Sequence, residues 1–401
     1  MASSAAAFGG PMADRVLVTG ARAPAALDIA RSLKAAGFEV HMADCVPARI
    51  ARRSNAPIAV YRHSSPVYRP AEFARDIRRL IDRIDPIAVV PTCEEVFHLA
   101  ALAEAEGWFD KLIAPPFETL ATLHHKGRFA VLCDELGLPV PTTTVVTDSA
   151  GLMHEALDAD VVVKPAWSRF GSQALIKPDA AALESLRPSP ETPWLVQSRV
   201  KGEEVSFYAI AHDGVLTAFS AYRSGWRTRG GAAYVFTPLA ESVFDRLRTM
   251  ADALARVVRR GQFACDAIID VRGQPLLIEC NPRATSGVHL FGRSAAFGRA
   301  LLGRDIARPG PGNWRNSIML DTFGLADALR TQQLMAWRDE HRLSHDILSA
   351  PRDPLPPLGA LMDAAGFGLR ALTSGQDLAS AMTADIEWNG QPLTPALWEG
   401  P

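Results

Sequence analysis

Between Phe263 and Arg283 the chain reads FACDAIIDVRGQPLLIECNPR: an acid, a turn, and then an acid, an amide and an arginine at alternate positions. Asp266 lies on one apolar run, and Glu279 with Asn281 on the next. The Asp270-Val271-Arg272-Gly273 segment between them reads as the turn of a β-hairpin. Side chains alternate faces along a strand, so Glu279 and Asn281 point one way and Cys280 the other. Two hard oxygen donors thus share a face, and Asp266 joins them if the hairpin register allows. An oxygen-only set suits Mg²⁺, with Mn²⁺ as a substitute, because such an ion keeps waters and takes further ligands from substrate phosphates. Arg283 can face the same phosphates. The plainer alternative is an exposed polar strand face, against which stands the clustering of E-x-N-x-R at the end of an apolar run.

Other elements must present cations to that face. Lys126, in HHKGRFAVLCDELGLPVPTT, opens a segment of helical pattern that ends at Gly137 and is followed by Pro139 and Pro141. Lys164, in DVVVKPAW, closes a β-branched run. WLVQSRVKGEEVSFYAI follows the proline-rich loop RPSPETP. A lysine alone is ordinarily a solvated charge, but these landmarks occur in one order from Lys126 to Arg283.

In that order they resemble the nucleotide-binding parts of the ATP-grasp superfamily, whose members include D-alanine-D-alanine ligase, biotin carboxylase and L-amino acid ligases. The matched window is under half of the chain. The resemblance implies ATP held by Lys126 and Lys164, with adenine on the backbone of Ser198, Arg199 and Val200. It gives the ribose to Glu204 and places Gln197 where an acid often stands. It implies Mg²⁺ on Asp266, Glu279 and Asn281, and Arg283 at the reacting phosphoryl group. One departure concerns the phosphate loop: AWSRFGSQAL contains one glycine, Gly171, where many relatives have several. Ser168, Arg169, Ser172 and Gln173 are then the side-chain donors, with Arg169 adding charge.

The segment YRSGWRTRGGAAYVF lies between WLVQSRVKGEEVSFYAI and the hairpin. Arg223, Arg227 and Arg229 would share a strand face, and an arginine fork recognises a carboxylate or phosphate bidentately. The competing reading is an edge strand charged against aggregation.

The N-terminal stretch RVLVTGARAPAALDIARSLKAAGFEVHMAD is an apolar strand, a glycine turn, an amphipathic helix and a second strand ending at Asp44. This is a βαβ unit of a parallel sheet. The glycines that would admit a dinucleotide pyrophosphate are missing after Gly20, which disfavours a nicotinamide-dependent reductase. Glu94 and Glu95 stand at a helix start, either as partners of the helix dipole or as contacts for a substrate ammonium group.

The expected fold class is α/β and α+β: an ATP-grasp fold preceded by a parallel α/β domain and followed by a mostly helical extension. Expected divisions are a disordered tail at 1–13, the N-terminal domain at 14–114, two ATP-grasp subdomains at 115–193 and 194–303, and the extension at 304–401. In the extension, Ser317 to Leu348 and Leu358 to Met382 read as helices, and the end TADIEWNGQPLTPALW carries apolar and aromatic anchors.

With 48% hydrophobic and 21% charged residues among 401, the chain can bury a sizeable core. A formal net charge of -2 disfavours a nucleic-acid binder. Five cysteines without a C-x-x-C pair suit a reducing, cytoplasmic compartment. No apolar run is long enough for a membrane span. The resemblance implies a carboxylate-amine ligase acting on small molecules through an acyl phosphate, with a homodimer allowed. The alternatives are a carboxylase or purine-type ligase of the same fold, or an ATP sensor without turnover.

Overall fold

The computed structural model describes residues 13–168, 173–227, 233–394 and 396–399. Three sheets carry the fold. The first is parallel, with order β3-β2-β1-β4, and contains β1 (Arg15–Thr19), β2 (Glu39–Asp44), β3 (Ala59–Arg62) and β4 (Ala88–Val90). Its central strand is buried because both faces are covered, as the unbroken apolar run VLV requires. The helix Pro24–Ala35 starts with proline at its first turn and buries Leu27, Ile29 and Leu33.

Gly20, after β1, adopts φ +70°, and a Cβ there would lie 2.4 Å from Thr92 Oγ1 and 2.9 Å from Glu95 Oε1. The glycine therefore serves close packing between the ends of β1 and β4. Asp44, which stands where a ribose-binding acid would sit, is occupied by Arg22. It accepts from the Arg22 backbone at 2.8 Å and from its guanidinium at 2.6 Å.

The second sheet is antiparallel, with order β5-β8-β6-β7: β5 (Thr143–Val146), β6 (Val161–Pro165), β7 (Leu175–Ile176) and β8 (Trp194–Ser198). The third contains β9 (Gly202–His212), β10 (Val215–Arg227), β11 (Ala233–Pro238), β12 (Gly261–Asp270), β13 (Pro275–Asn281), β14 (Asn313–Arg315) and β15 (Ser344–Asp346). Its order is β13-β12-β9-β10-β11-β14-β15, antiparallel except for the final pair. The helix Glu241–Val258 buries Leu247, Met250, Ala251, Leu254, Ala255 and Val258, the 3-1-3-1-3 spacing of one helical face. That face packs with Phe207, Phe219 and Phe263 from β9, β10 and β12. Each fully buried Leu or Phe contributes about 1.5–3 kcal/mol, so this helix fixes the sheet that carries the hairpin.

The C-terminal extension is helical over Leu325–Thr331, Leu334–Leu343, Pro356–Ser374 and Leu378–Thr383. One expectation is corrected: Ser344–Asp346, inside the stretch read as helix, is a strand. It pairs with β14 and so satisfies that edge's backbone groups. The last segment returns to the N-terminal domain, where Ile386, Trp388 and Trp398 are buried as anchors. Among the described residues, no helix is long and apolar enough to cross a membrane.

Candidate active site

The hairpin forms with the register the chemistry needs. Asp266 on β12 lies opposite Glu279 on β13, and Ala264 lies opposite Asn281, so the three donors are neighbours on one face. An irregularity follows Asp266. The Asn281 amide donates to Asp266 Oδ2 at 3.4 Å, and Arg283 donates to Asn281 Oδ1 at 3.1 Å. Burial pushes the Asp266 carboxyl above the usual carboxylate range, and the charge of Glu279 adds to this. Burial alone would raise Glu279 too, but Lys126 and Lys164 hold it low. Two carboxylates forced together beside an amide oxygen form a site whose charge a divalent cation would relieve, so these residues fit Mg²⁺. Among the described residues, no group of three His, Cys, Asp or Glu side chains could hold a metal, which leaves the amide and bound phosphates to complete any coordination.

Both lysines converge on Glu279. Lys126 opens the helix Lys126–Glu135, capped by His125, whose Nδ1 accepts from the backbone of Gly127 and Arg128 at 3.1 Å each. His125 is thus a helix-start group. The Lys126 ammonium lies 3.5 Å from Glu279 Oε2 and donates to the Ser168 carbonyl at 2.7 Å. Lys164, on β6, donates to the Ile278 carbonyl at 3.3 Å, and burial pulls its pKa down to about 8 against the opposing pull of Glu279.

A cleft of about 740 Å³ runs between the second and third sheets. Lys164, Gln197, Ser198, Arg199, Val200, Glu204, Arg227, Asp266, Glu279, Asn281 and Arg283 line it. Lys126 does not line the wall itself and reaches it through Glu279. The second sheet contributes the apolar Val162 and Ile176 beside Ser198, and the third contributes Tyr222 and Phe236, joined by Thr285 and Ser286. Within it, Gln197 turns its amide to Thr143 Oγ1 at 2.9 Å, tying β8 to β5. The Glu204 carboxylate pairs with Arg227 at 2.7 Å. Arg223 is half exposed, pairs with Glu203 and does not line the cleft, so it behaves as the charged strand edge of the competing reading. Arg169, Gly171, Ser172 and Arg229 lie outside the described residues.

Glu94 and Glu95 diverge. Glu95 Oε1 accepts from the Thr19 hydroxyl at 2.7 Å and from the backbone of Thr92 and Cys93 at 3.1 and 3.2 Å, which makes it a brace for the loop after β4. Glu94 approaches Arg283 at 3.7 Å. Sequence reasoning missed Ser206, whose hydroxyl donates to Asp266 Oδ1 at 2.6 Å. Its signal was present in the alternation that puts Glu204 and Ser206 on one strand face.

The three-sheet arrangement, with its cleft and its acid-amide hairpin, is the ATP-grasp fold. Solved structures bear this out. An L-amino acid ligase from Bacillus licheniformis superimposes with a TM-score of 0.53 over 71% of this chain and 69% of its own, at 16% identity. The biotin carboxylase domain of Hydrogenobacter thermophilus 2-oxoglutarate carboxylase, solved with MgADP, ADP and bicarbonate, gives 0.58 over 75% and 73%, also at 16% identity. In sequence, the chain is 24% identical over 298 residues to the arginine-specific carbamoyl phosphate synthase large chain of Lactiplantibacillus plantarum. That match takes in 69% of this chain and 28% of the relative, so the chain spans little more than a quarter of that protein's length. No protein-family profile matches the chain.

Proposed function

We propose that the protein is an ATP-dependent ligase that activates a small carboxylic acid as an acyl phosphate and joins it to an amine, releasing ADP and phosphate. The observation that carries this reading is the convergence of Asp266, Glu279, Asn281, Lys126, Lys164 and Arg283 around one cleft. Adenine would lie between the apolar Val162 and Ile176 and the backbone of Ser198, Arg199 and Val200, with Glu204 released from Arg227 to take the ribose. Mg²⁺ held by Asp266, Glu279 and Asn281 would neutralise charge on the transferred phosphoryl group. Lys164, with Lys126 behind Glu279, draws the phosphates toward the hairpin.

The acid enters beside Tyr222 and Phe236, where Arg227 and Arg283 can pair with its carboxylate. One carboxylate oxygen attacks the γ-phosphorus and the bond to the ADP oxygen breaks. The amine then attacks the acyl carbon, phosphate departs, and the nitrogen loses a proton. In this reading Glu94, 3.7 Å from Arg283, would hold the amine substrate's ammonium group before it gives up a proton and attacks. No protein nucleophile is needed, because positioning and charge stabilisation supply the catalysis. Cytoplasmic placement and the pairing of two copies belong to the same reading.

A second reading on the same fold is favoured by the relatives: the acid is bicarbonate and the intermediate carboxyphosphate. Its support is the carbamoyl phosphate synthase similarity and the bicarbonate of the biotin carboxylase domain. An ADP-release screen over paired carboxylates and amines, with and without bicarbonate, tests both. Release that needs an organic acid and an amine supports the ligase, and release that needs bicarbonate alone supports the carboxylase. AMP with pyrophosphate as products, or undiminished release by Glu279→Ala, would overturn the shared chemistry.

A further inference from the structure

The C-terminal return segment packs through Trp388 against Trp167, which sits within the stretch that holds Lys126. Asp385 accepts from Arg22 at 2.6 Å and from Arg370 at 2.8 Å, and its carbonyl accepts from Ser65 at 2.6 Å. The segment is thereby pinned to the N-terminal domain. Trp388 follows, stacked on Phe97 at 4.9 Å and edge-on to Phe117 at 5.2 Å. It also meets Trp167, with ring centroids 4.9 Å apart and planes at 73°, and His124 at 6.4 Å.

Trp167 is three residues beyond Lys164 and one before Ser168, whose carbonyl holds the Lys126 ammonium at 2.7 Å. The same indole packs edge-on at 4.6 Å against His125, the cap of the helix that Lys126 opens. The Lys126 backbone N–H also donates to the Ala166 carbonyl at 3.2 Å. Both ends of Lys126 are therefore tied to the stretch Ala166–Ser168. Gly390 closes the packing: its φ is +90°, and a Cβ there would lie 2.8 Å from Trp167 Nε1. Only a residue without a side chain lets the backbone lie so close to the indole.

We propose that the segment Asp385–Gly390 sets the position of Lys126, and so the affinity for ATP phosphates, with Trp388 and Gly390 as positioning residues acting through Trp167. This rests on the nucleotide reading of the cleft. The physical argument is one of leverage. A lysine is a flexible stem with a point charge, and fixing it toward a phosphate needs its surroundings to remove rotamer freedom. Here the carbonyls that hold Lys126 belong to Ala166 and Ser168, and Trp388, more than two hundred residues further along the chain, packs on Trp167 between them. Trp398 gives an internal control, since it is a buried tail anchor on the N-terminal domain core but is not among the ring partners of Trp167.

The test is Mg-ATP binding by calorimetry to the full chain, wild type and variants, with folding checked by thermal melting. Trp388→Ala and Gly390→Ala should bind about ten-fold more weakly, the loss of roughly one charge-assisted contact. Trp388→Phe should recover most of the affinity, and Trp398→Ala should melt earlier yet bind as wild type. In a Lys126→Ala background, Trp388→Ala should weaken binding no further, because a residue acting through Lys126 has nothing left to position. Wild-type affinity in folded Trp388→Ala and Gly390→Ala, or equal losses in Trp398→Ala, or a full additional loss in the Lys126→Ala background, would overturn the inference. A wild-type protein that binds no Mg-ATP would instead remove the nucleotide reading beneath it. Should Trp388→Ala not fold, Gly390→Ala and Trp388→Phe carry the test.

Discussion

Ser206→Ala probes the metal face without altering any proposed ligand. The Ser206 hydroxyl is buried and donates to Oδ1 of the half-buried Asp266 at 2.6 Å. A hydrogen bond to a charged group is worth about 1.5–3 kcal/mol, and this one favours the ionised carboxylate. Its loss raises the proton affinity of a group that burial and Glu279 already push upward. Mg²⁺ must displace that proton before it can bind, so the variant should need more Mg²⁺, by about ten-fold and by no more than about a hundred-fold. The sign of the pH effect follows. At low pH the proton competes in both proteins but more in the variant, so the penalty is largest near pH 6 and shrinks toward pH 8.5. The assay is calorimetric titration of Mg²⁺ into protein saturated with a non-hydrolysable ATP analogue, at both pH values. An unchanged Mg²⁺ affinity at both would refute the reasoning, and an equal penalty at both would refute its proton-competition part.

Asp28 is almost fully buried and accepts from His289 at 2.7 Å, Arg293 at 2.8 Å and Arg31 at 2.9 Å. Although burial opposes it, the hydrogen bond from His289 and the charges of Arg293 and Arg31 hold its pKa down to about 2. The stabilisation is therefore complete above the unfolded value near pH 4 and is lost as the pH falls toward 2. Asp28→Asn should cost about 3–5 kcal/mol at neutral pH and flatten the acid limb of a denaturant-midpoint profile; an unchanged limb would exclude the pairing. Gly20→Ala should cost about 1–3 kcal/mol, since it adds left-handed strain and a clash with Thr92, and a melting temperature equal to wild type would contradict the packing. Arg227→Ala should raise KM for the carboxylate more than KM for ATP, by about ten-fold or more, with lysine recovering little; a selective rise for ATP would reassign Arg227 to the nucleotide.

Some of this was legible because it is local. The hairpin donors follow from the two-residue period of a strand, and β-pairing of adjacent runs across a short turn leaves little freedom of register. The helix at Lys126 was announced by its apolar spacing and by the Gly137 and Pro139 that end it, and the N-terminal βαβ unit by its apolar strands and glycine turn. Missing glycines after Gly20 argued against a dinucleotide, and the structure gives that glycine a packing task instead. The buried C-terminal anchors were readable as apolar residues in a polar tail, though not what they would touch.

What only the tertiary structure decided is which distant groups meet. Arg223 and Arg227 are four residues apart on one strand, yet Arg227 lines the cleft and Arg223 pairs outside it. Glu94 and Glu95 are adjacent in sequence, but one braces the loop after β4 and the other approaches Arg283. Ser344–Asp346 became a strand because an unpaired sheet edge lay beside it, a demand that no local propensity records. Trp388 reached Trp167 because the extension folds back over the N-terminal domain. Local patterns set which face a side chain takes on its own element, since backbone geometry repeats every two or 3.6 residues. Which faces come together depends on burying apolar surface and satisfying backbone groups across the whole chain, and those requirements are met only by the assembled molecule.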